Sequence, residues 1–211
     1  MDLNHLRKEY NSKRLTISSM HANPFFQFNG WLQEAIKKKL IEPNAMTLST
    51  ATKEGKPSSR VVLLKEVDDE GLLFYTNYES RKGKELIENP FASLNFYWKE
   101  LERQLTIEGT IQKLSTEKST TYFHSRPRAS QLSAWVSSQG NVISSHEWME
   151  DRFSELQKEF EGKEIPLPPY WGGFRLVPTL FIFWQGQRNR LHDRFRYQKN
   201  NEEWKIDQIA P

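Results

Sequence analysis

The stretch from Trp184 to Gln198 carries alternating cationic side chains that could bind an anion. Read as a β-strand, it places successive side chains on opposite faces. One face would then carry Arg190, His192, Arg194 and Arg196, and the other Leu191, Asp193, Phe195 and Tyr197. A row of cations either faces water, where it protects a sheet edge from pairing, or faces an anion. The nearby Trp184 favours a flat anionic ligand, but the row by itself leaves both interpretations open.

Two further groups of cations lie where a phosphate could bind. Ser80, Arg81 and Lys82 stand at the predicted start of a helix, whose free N–H groups and dipole attract anions. A charged first turn is, however, just as often ordinary surface. Arg60 and Lys65 lie in an apolar strand. Their odd spacing puts them on opposite faces unless a bulge intervenes, so they need not bind the same group.

A third group combines Tyr122, Arg126 and Ser130, which follow one another at intervals of four residues. One continuous helix would align the three side chains on a single face. Pro127 argues against such a helix, because its ring would disrupt the preceding turn. The three side chains would then meet only where two helices join at a corner.

The composition excludes several other kinds of site. The 211-residue chain contains no cysteine, so it forms no disulfide and no thiolate metal site, and its 5 histidines lack the close spacing of zinc ligands. It also contains no glycine-rich nucleotide loop and no G-x-S-x-G nucleophile motif. The unusual features are aromatic residues, at 13%, and cations, with a net charge of +3. They point to a phosphorylated ring compound or to RNA.

Targeting signals are not apparent in the sequence. The first residues are polar and include Asp2 and Glu9, which argues against a secretory signal and a transit peptide. The longest apolar run, from Leu176 to Trp184, is too short to cross a bilayer. We therefore expect a cytoplasmic protein without a membrane partner.

Hydrophobic periodicity predicts an N-terminal arm and one α+β domain. Residues 1–22 are expected to form a mobile basic arm, and residues 23–211 a single domain whose first helix begins at Asn23 and Pro24. Period-two patterns predict strands at residues 45–51, 58–67, 72–77, 91–98 and 103–114, the last bulged at Gly109. A short helix should follow Ser80.

A helical insert is predicted at about residues 115–161. Its last helix should run from Ser145 to Glu161, with a capping box of Ser144 and Glu147 at its start and Gly162 after its end. Further strands are expected near residues 174–177, 180–185, 190–198 and 203–207. Short hairpin-linked strands with flanking helices indicate a closed or nearly closed antiparallel barrel.

Six motifs in matching order resemble the pyridoxamine 5′-phosphate oxidase family, over about residues 6–211. They are RVVLLK, FYTN with SRKGKE, LERQ, YFHSRPRASQ, YWGGF and FWQGQRNRLHDRF, and the C-terminal WKIDQIAP is similar too. The resemblance implies an FMN-binding split barrel that works as a homodimer with both flavins at the subunit interface. It also implies oxidation of pyridoxamine or pyridoxine 5′-phosphate to pyridoxal 5′-phosphate, with O2 reduced to H2O2.

The resemblance assigns roles to individual positions of this chain. Residues implied to bind FMN are Arg60, Val61, Val62, Leu63, Leu64, Lys65, Tyr75, Thr76, Arg81, Lys82, Gln104, Gln139, Gly140, Trp184 and Arg194. Residues implied to bind the substrate are Arg7, Tyr10, Lys65, Tyr122, Arg126, Ser130, Arg190 and His192, with Arg190 and His192 as the catalytic pair. Gly140 departs from the family, which commonly has a serine there, so a hydroxyl contact to FMN would be lost.

Two alternatives to the oxidase stay open at this point. A flavin- or pyridoxal phosphate-binding barrel without oxidase activity would also explain the motifs if the change at Gly140 weakens FMN binding. A nucleic-acid-binding barrel could use the arginine row and the aromatic residues. It would bind RNA with a strong dependence on salt, which we do not expect.

Overall fold

The computed structural model describes residues 1–211 and contains nine strands and five α-helices. The strands are β1 Ala45–Ala51, β2 Pro57–Leu63, β3 Glu66–Val67, β4 Leu72–Asn77, β5 Phe91–Trp98, β6 Arg103–Lys113, β7 Trp171–Gln185, β8 Asp193–Asn200 and β9 Glu203–Gln208. The helices are α1 Pro24–Lys37, α2 Arg81–Glu88, α3 Thr116–Ser125, α4 Arg128–Val136 and α5 His146–Glu159. None of the helices is long and apolar enough to span a membrane.

All strand pairs are antiparallel, and the sheet order is β2-β1-β5-β6-β7-β4-β3, with β8 and β9 continuing from β7. Because β3 follows β2 after two residues, the chain itself joins the two ends of this order. The sheet therefore curls into a barrel. This confirms the predicted α+β split barrel.

Two hydrophobic clusters stabilise the molecule. The larger contains 26 buried residues in the barrel and is covered by α1, which contributes Phe28, Trp31 and Ala35. The smaller contains 7 buried residues, among them Phe123 and Leu156, and holds the helices of the insert against Trp171. Burial of each large apolar side chain contributes about 1.5–3 kcal/mol, so both clusters fix the elements that carry polar groups.

Helix caps were largely predictable from local sequence. Asn23 caps α1 and Ser80 caps α2 as expected, each side chain accepting a backbone N–H two or three residues on. The cap of α5 was predicted one residue too early: Ser145, rather than Ser144, accepts from the backbone N–H of Trp148. Ser144 and Ser145 are both competent caps, and the sequence does not distinguish them.

Three strand predictions need correction. The strand expected over residues 58–67 ends at Leu63, and a separate short β3 follows. The strands expected near 174–177 and 180–185 are one fifteen-residue strand, β7. It tolerates Pro178 because one edge of β7 is unpaired there: β4 pairs with residues 171–176 and β8 with residues 180–185. The strand expected from Arg190 begins only at Asp193.

The cationic row is therefore broken. Residues 188–190 form a 3₁₀ turn in which Asn189 and Arg190 have φ angles of 56° and 60°. Strand alternation holds from Asp193 onward, so Arg194 and Arg196 share a face while Arg190 and His192 lie outside the strand. Leu191, which alternation placed opposite the cations, is 69% exposed.

Candidate functional site

A cavity of about 830 Å³ opens between β2, β4, α2 and the corner where α3 meets α4. Of its 23 lining residues, fourteen were implied by the family resemblance to bind FMN or substrate: Arg60, Val61, Val62, Leu63, Lys65, Tyr75, Thr76, Arg81, Lys82, Tyr122, Arg126, Ser130, Gln139 and Gly140. Cations from separate strands and helices thus converge on one space.

The break after β2 explains how Arg60 and Lys65 both reach the cavity. Alternation in one strand would separate them, but the strand ends at Leu63 and the chain turns before Lys65. Leu64, between them, is 4% exposed and packs in the barrel core instead of lining the cavity. Its side chain therefore does not line the cavity, and a contact of Leu64 with FMN stays a prediction.

The start of α2 forms one anion-binding end of the cavity. Its cap, Ser80, lines the cavity together with Arg81 and Lys82, so the N-terminus of the helix lies at this end of the cavity. Gly83 lets the first turn of α2 pack against the backbone of the preceding loop, because a Cβ there would lie 2.3 Å from the carbonyl oxygen of Tyr78.

Of the cations at this end of the cavity, Lys82 has the most strongly shifted pKa. Its Nζ lies 2.9 Å from Gln139 Oε1, 3.2 Å from Thr76 Oγ1 and 3.3 Å from Ser80 Oγ, and the residue is 8% exposed. Burial, helped by the charge of Arg60, lowers the pKa of Lys82 to about 8. A buried lysine with only neutral partners is stabilised by an incoming anion.

A second cationic group belongs to the helix corner. The guanidinium of Arg126 lies 4.7 Å from the ring centroid of Trp171, and its Nη1 atom is buried without a hydrogen-bond partner. Burial also lowers the pKa of Arg126, against a smaller opposing effect of Tyr122. Tyr122, Arg126 and Ser130 all line the cavity although Pro127 separates α3 from α4, so they converge at the corner.

Aromatic rings stack beside this cation. The centroids of Tyr75 and Tyr122 are 3.8 Å apart with ring planes at 16°, and Trp171 is stacked 5.7 Å from Tyr75 and 6.2 Å from Tyr122. Trp171 was not assigned a role from the sequence, although it lies in the YWGGF motif. Flat apolar faces next to a desolvated cation suit an anionic ring compound.

The remaining predicted residues gather at a second place, which we call the Trp184 cluster and define as Tyr10, Gln104, Trp184, His192 and Arg194. Tyr10 packs edge-on at 5.5 Å from Trp184 and 5.6 Å from His192, measured between ring centroids. Gln104 and Arg194 are the strand neighbours of Trp184 on either side.

His192 is held in one orientation within this cluster. Its Nδ1 accepts the backbone N–H of Gln187 at 3.0 Å, which leaves Nε2 as the nitrogen that can carry a proton. Burial, followed by the charge of Arg190, lowers the pKa of His192. Arg190 itself is exposed on the preceding turn.

The N-terminal arm is docked next to the Trp184 cluster. Lys8 Nζ lies 2.8 Å from Glu102, and the buried Asp193 accepts the backbone N–H of Leu15 at 2.9 Å. Tyr10 lies over Gly186, where a Cβ would come within 2.8 Å of the tyrosine ring. Arg7 is exposed. The mobility of the arm stays a prediction.

The cavity and the Trp184 cluster have no residue in common. Tyr75 of the cavity pairs with Gly173, whereas Gln104 pairs with Trp184, so the two pairs lie eleven residue steps apart along β7. At about 3.3 Å per residue the path along the strand is about 36 Å. One chain therefore presents two separate parts of the predicted site.

Two family models match the chain. The model described as pyridoxamine 5′-phosphate oxidase matches residues 32–159, and the model described as pyridoxine 5′-phosphate oxidase C-terminal dimerisation region matches residues 171–211. The second match includes β7, β8 and β9 and supports a homodimer.

Curated relatives match over the full length. A pyridoxine/pyridoxamine 5′-phosphate oxidase of Crocosphaera subtropica is 52% identical and covers 100% of both chains. One of a Cyanothece species is 47% identical, covering 100% of this chain and 99% of the relative.

Solved structures show the same fold. PhzG from Burkholderia lata, in complex with tetrahydrophenazine-1-carboxylic acid, has a TM-score of 0.89 at 32% identity, covering 95% of this chain and 100% of PhzG. A pyridoxamine 5′-phosphate oxidase-related, FMN-binding protein of Nostoc punctiforme has a TM-score of 0.72 at 18% identity, covering 91% and 100%.

Proposed function

Because the chain belongs to the pyridoxamine 5′-phosphate oxidase family, we propose that it oxidises pyridoxamine or pyridoxine 5′-phosphate to pyridoxal 5′-phosphate with FMN as cofactor and O2 as acceptor. The observation that carries this proposal is the pairing of two separate cationic groups in one cavity. One consists of Arg60, Arg81 and Lys82 and the other of Lys65 and Arg126. Cofactor and substrate each bring a phosphate, so a shared cavity needs both groups.

The side chains fit FMN at the start of α2. Lys82 is buried against neutral partners, and the N-terminal N–H groups of α2 add a favourable dipole. Thr76, Gln139 and the backbone of Gly140 would add contacts, since all three line the same space. Gly140 has φ 92°, a conformation that a serine would adopt only with strain.

The side chains also fit a substrate phosphate at the helix corner. The unpartnered Nη1 of Arg126 gains a charge-assisted hydrogen bond when a phosphate oxygen arrives, and Tyr122, Ser130 and Lys65 supply further donors. The stacked rings of Tyr75, Tyr122 and Trp171 exclude water from one side of the bound ring. These residues orient the substrate; bound FMN supplies the two-electron chemistry.

We propose that two subunits complete each site. In this arrangement the partner subunit's Trp184, Arg190, His192 and Arg194 face the cavity of the first chain, and Arg190 and His192 hold the substrate ring. The separation of the two parts within one chain and the match of residues 171–211 to a dimerisation region support it. Arg194 is the candidate for the cation that stabilises negative charge on the cofactor. A cytoplasmic location remains a prediction.

The visible spectrum of the purified protein tests the activity. We expect flavin bands that bleach when pyridoxamine 5′-phosphate is added without oxygen and return in air with release of H2O2. A protein that takes up no FMN would refute the cofactor. A yellow protein that does not bleach would instead be a flavin-binding barrel without this reaction.

Mixed dimers test the shared site. Arg126→Met and Arg190→Met should each keep the flavin and, at a substrate concentration near the wild-type KM, lose most activity as homodimers. Unfolding and refolding an equal mixture should restore about a quarter of the activity, because half of the dimers are mixed and each holds one intact site. No recovery, although both variants refold as dimers, would show that each site is built from a single chain.

A further inference from the structure

A buried carboxylate lies behind the cations at the start of α2. Glu85 is 3% exposed, sits one turn into that helix and does not line the cavity. Burial by itself would raise the pKa of its carboxyl, but hydrogen bonds from Ser58, Thr50 and Arg81 outweigh that effect and lower it to about 2. Glu85 is therefore a fixed anion at every working pH.

Its two oxygens bind different elements. Oε1 accepts from Arg81 Nε at 2.8 Å, whereas Oε2 accepts from the hydroxyls of Ser58 and Thr50. Because Arg81 is bound through Nε, both of its terminal nitrogens stay free for a ligand. The Arg81 side chain is 65% exposed and Glu85 is its only hydrogen-bond acceptor.

The same carboxylate reaches Arg60 through the two hydroxyls. Arg60 Nη1 donates to Thr50 Oγ1 at 2.7 Å and to the carbonyl of Leu48 at 3.1 Å, and Nη2 donates to Ser58 Oγ. The distance from Arg60 Nη2 to Glu85 Oε2 is 3.6 Å. A cation on β2 and a cation on α2 are thus tied to one anion.

From this geometry we propose that Glu85 is a positioning residue that fixes Arg60 and Arg81 for the phosphate of the cofactor. The inference rests on the proposed binding of FMN at this end of the cavity. Two effects of Glu85 oppose each other, because its charge repels a phosphate while its hydrogen bonds hold the two cations in place. Fixing arginine forks saves rotamer entropy when the ligand binds, and the repulsion is offset by the two arginines beside it.

The test compares FMN with riboflavin, which lacks the phosphate, by quenching of flavin fluorescence on binding to the apoprotein. Glu85→Leu should weaken FMN binding about tenfold, the size expected when one arginine loses its fixed rotamer. It should change riboflavin binding by less than twofold. Glu85→Gln should stay within about threefold of the wild type for FMN, since its carbonyl can still accept from Arg81. Glu88→Leu, at an exposed position of the same helix, is the matched control and should change neither.

A second variant tests the link to Arg60 without altering the cavity lining. Thr50→Val keeps the shape but removes the hydroxyl that joins Glu85 to Arg60, and it should weaken FMN about threefold with riboflavin unchanged. When Arg81 is already replaced by methionine, adding Glu85→Leu should weaken FMN binding by less than threefold. The Thr50→Val measurement also tests the proposal if Glu85→Leu does not fold.

Three outcomes would overturn the proposal. Equal losses for FMN and riboflavin would mean that Glu85 only supports packing. Tighter FMN binding by Glu85→Gln and Glu85→Leu would mean that repulsion outweighs positioning. An undiminished tenfold loss in the Arg81→Met background would mean that Glu85 does not act through Arg81. A wild-type protein that binds FMN no better than riboflavin would instead refute the proposed cofactor phosphate site.

Discussion

Replacing Lys82 by methionine should stabilise the apoprotein at neutral pH. The pKa of Lys82 lies at about 8 in the folded chain because the residue is buried, with Arg60 adding to the shift, whereas an unfolded lysine titrates near 10.4. The folded state therefore binds the proton more weakly than the unfolded state. The charge costs stability, and that cost is fully present below the folded pKa and is lost as the pH rises toward the unfolded value.

The magnitude follows from the separation of the two pKa values. At about 1.4 kcal/mol per pKa unit, the charge of Lys82 costs about 3 kcal/mol of unfolding free energy at pH 7 and about 1 kcal/mol at pH 10. Methionine removes the charge but also the three hydrogen bonds of Nζ. These bonds contribute about 1 kcal/mol in net terms, because water can reach their partners from the cavity. We expect a gain of about 1–2 kcal/mol at pH 7.

Urea unfolding of the apoprotein at one protein concentration measures this gain. The difference between Lys82→Met and the wild type should shrink by about 2 kcal/mol between pH 7 and pH 10, because only the wild type carries the titrating group. Lys84→Met, at an exposed position of the same helix, should show no such change. A variant difference that stays constant across this pH range would refute the assignment of a depressed pKa to Lys82.

Three other predictions concern ligands and the arm. The dissociation constant of FMN should rise about tenfold from pH 7 to pH 9, because Lys82 loses its proton over this range. This dependence on pH should be absent in Lys82→Met. Titration of FMN fluorescence quenching at each pH measures both. Arg126→Met should raise the KM for pyridoxamine 5′-phosphate by about 10- to 100-fold, which corresponds to the loss of one charge-assisted hydrogen bond. The effect on kcat, measured by steady-state kinetics, should be smaller. An equal or larger loss in kcat would contradict this. Gly186→Ala should displace Tyr10, so limited proteolysis should cut the arm faster than in the wild type, while unchanged cleavage would show that the arm does not rest on this glycine.

Local sequence was sufficient for the helices and most strands, because caps and side-chain periodicity depend on neighbouring residues. The caps at Asn23 and Ser80 and the bulge at Gly109 were predicted in this way. Alternation failed at Arg190, where it assumes a continuous strand. A positive φ at Asn189 turns the backbone, and asparagine within a charged run is the signal that could have indicated it.

Local sequence patterns could not predict which distant residues line the same cavity. Spacing placed Arg60 and Lys65 on opposite faces, but the end of β2 at Leu63 depends on how the sheet curls toward β4. The grouping of Arg60 with Lys82 and Arg126 likewise arises from contacts between distant elements. Only the resemblance to a family supplied these groupings, and it did not supply Trp171 or Glu85.

The long strand β7 makes the two regions that separate family models recognise structurally dependent on each other, so they should evolve together. It opens the C-terminal region, yet its partners β4 and β6 belong to the N-terminal one. A crossover in residues 160–170 would pair strands of different ancestry along nearly the whole of β6, so recombination there should yield working chimaeras only between relatives whose β6 and β7 have changed together. Between other relatives, exchange of either region alone should mismatch β6 and β7 and disrupt the sheet.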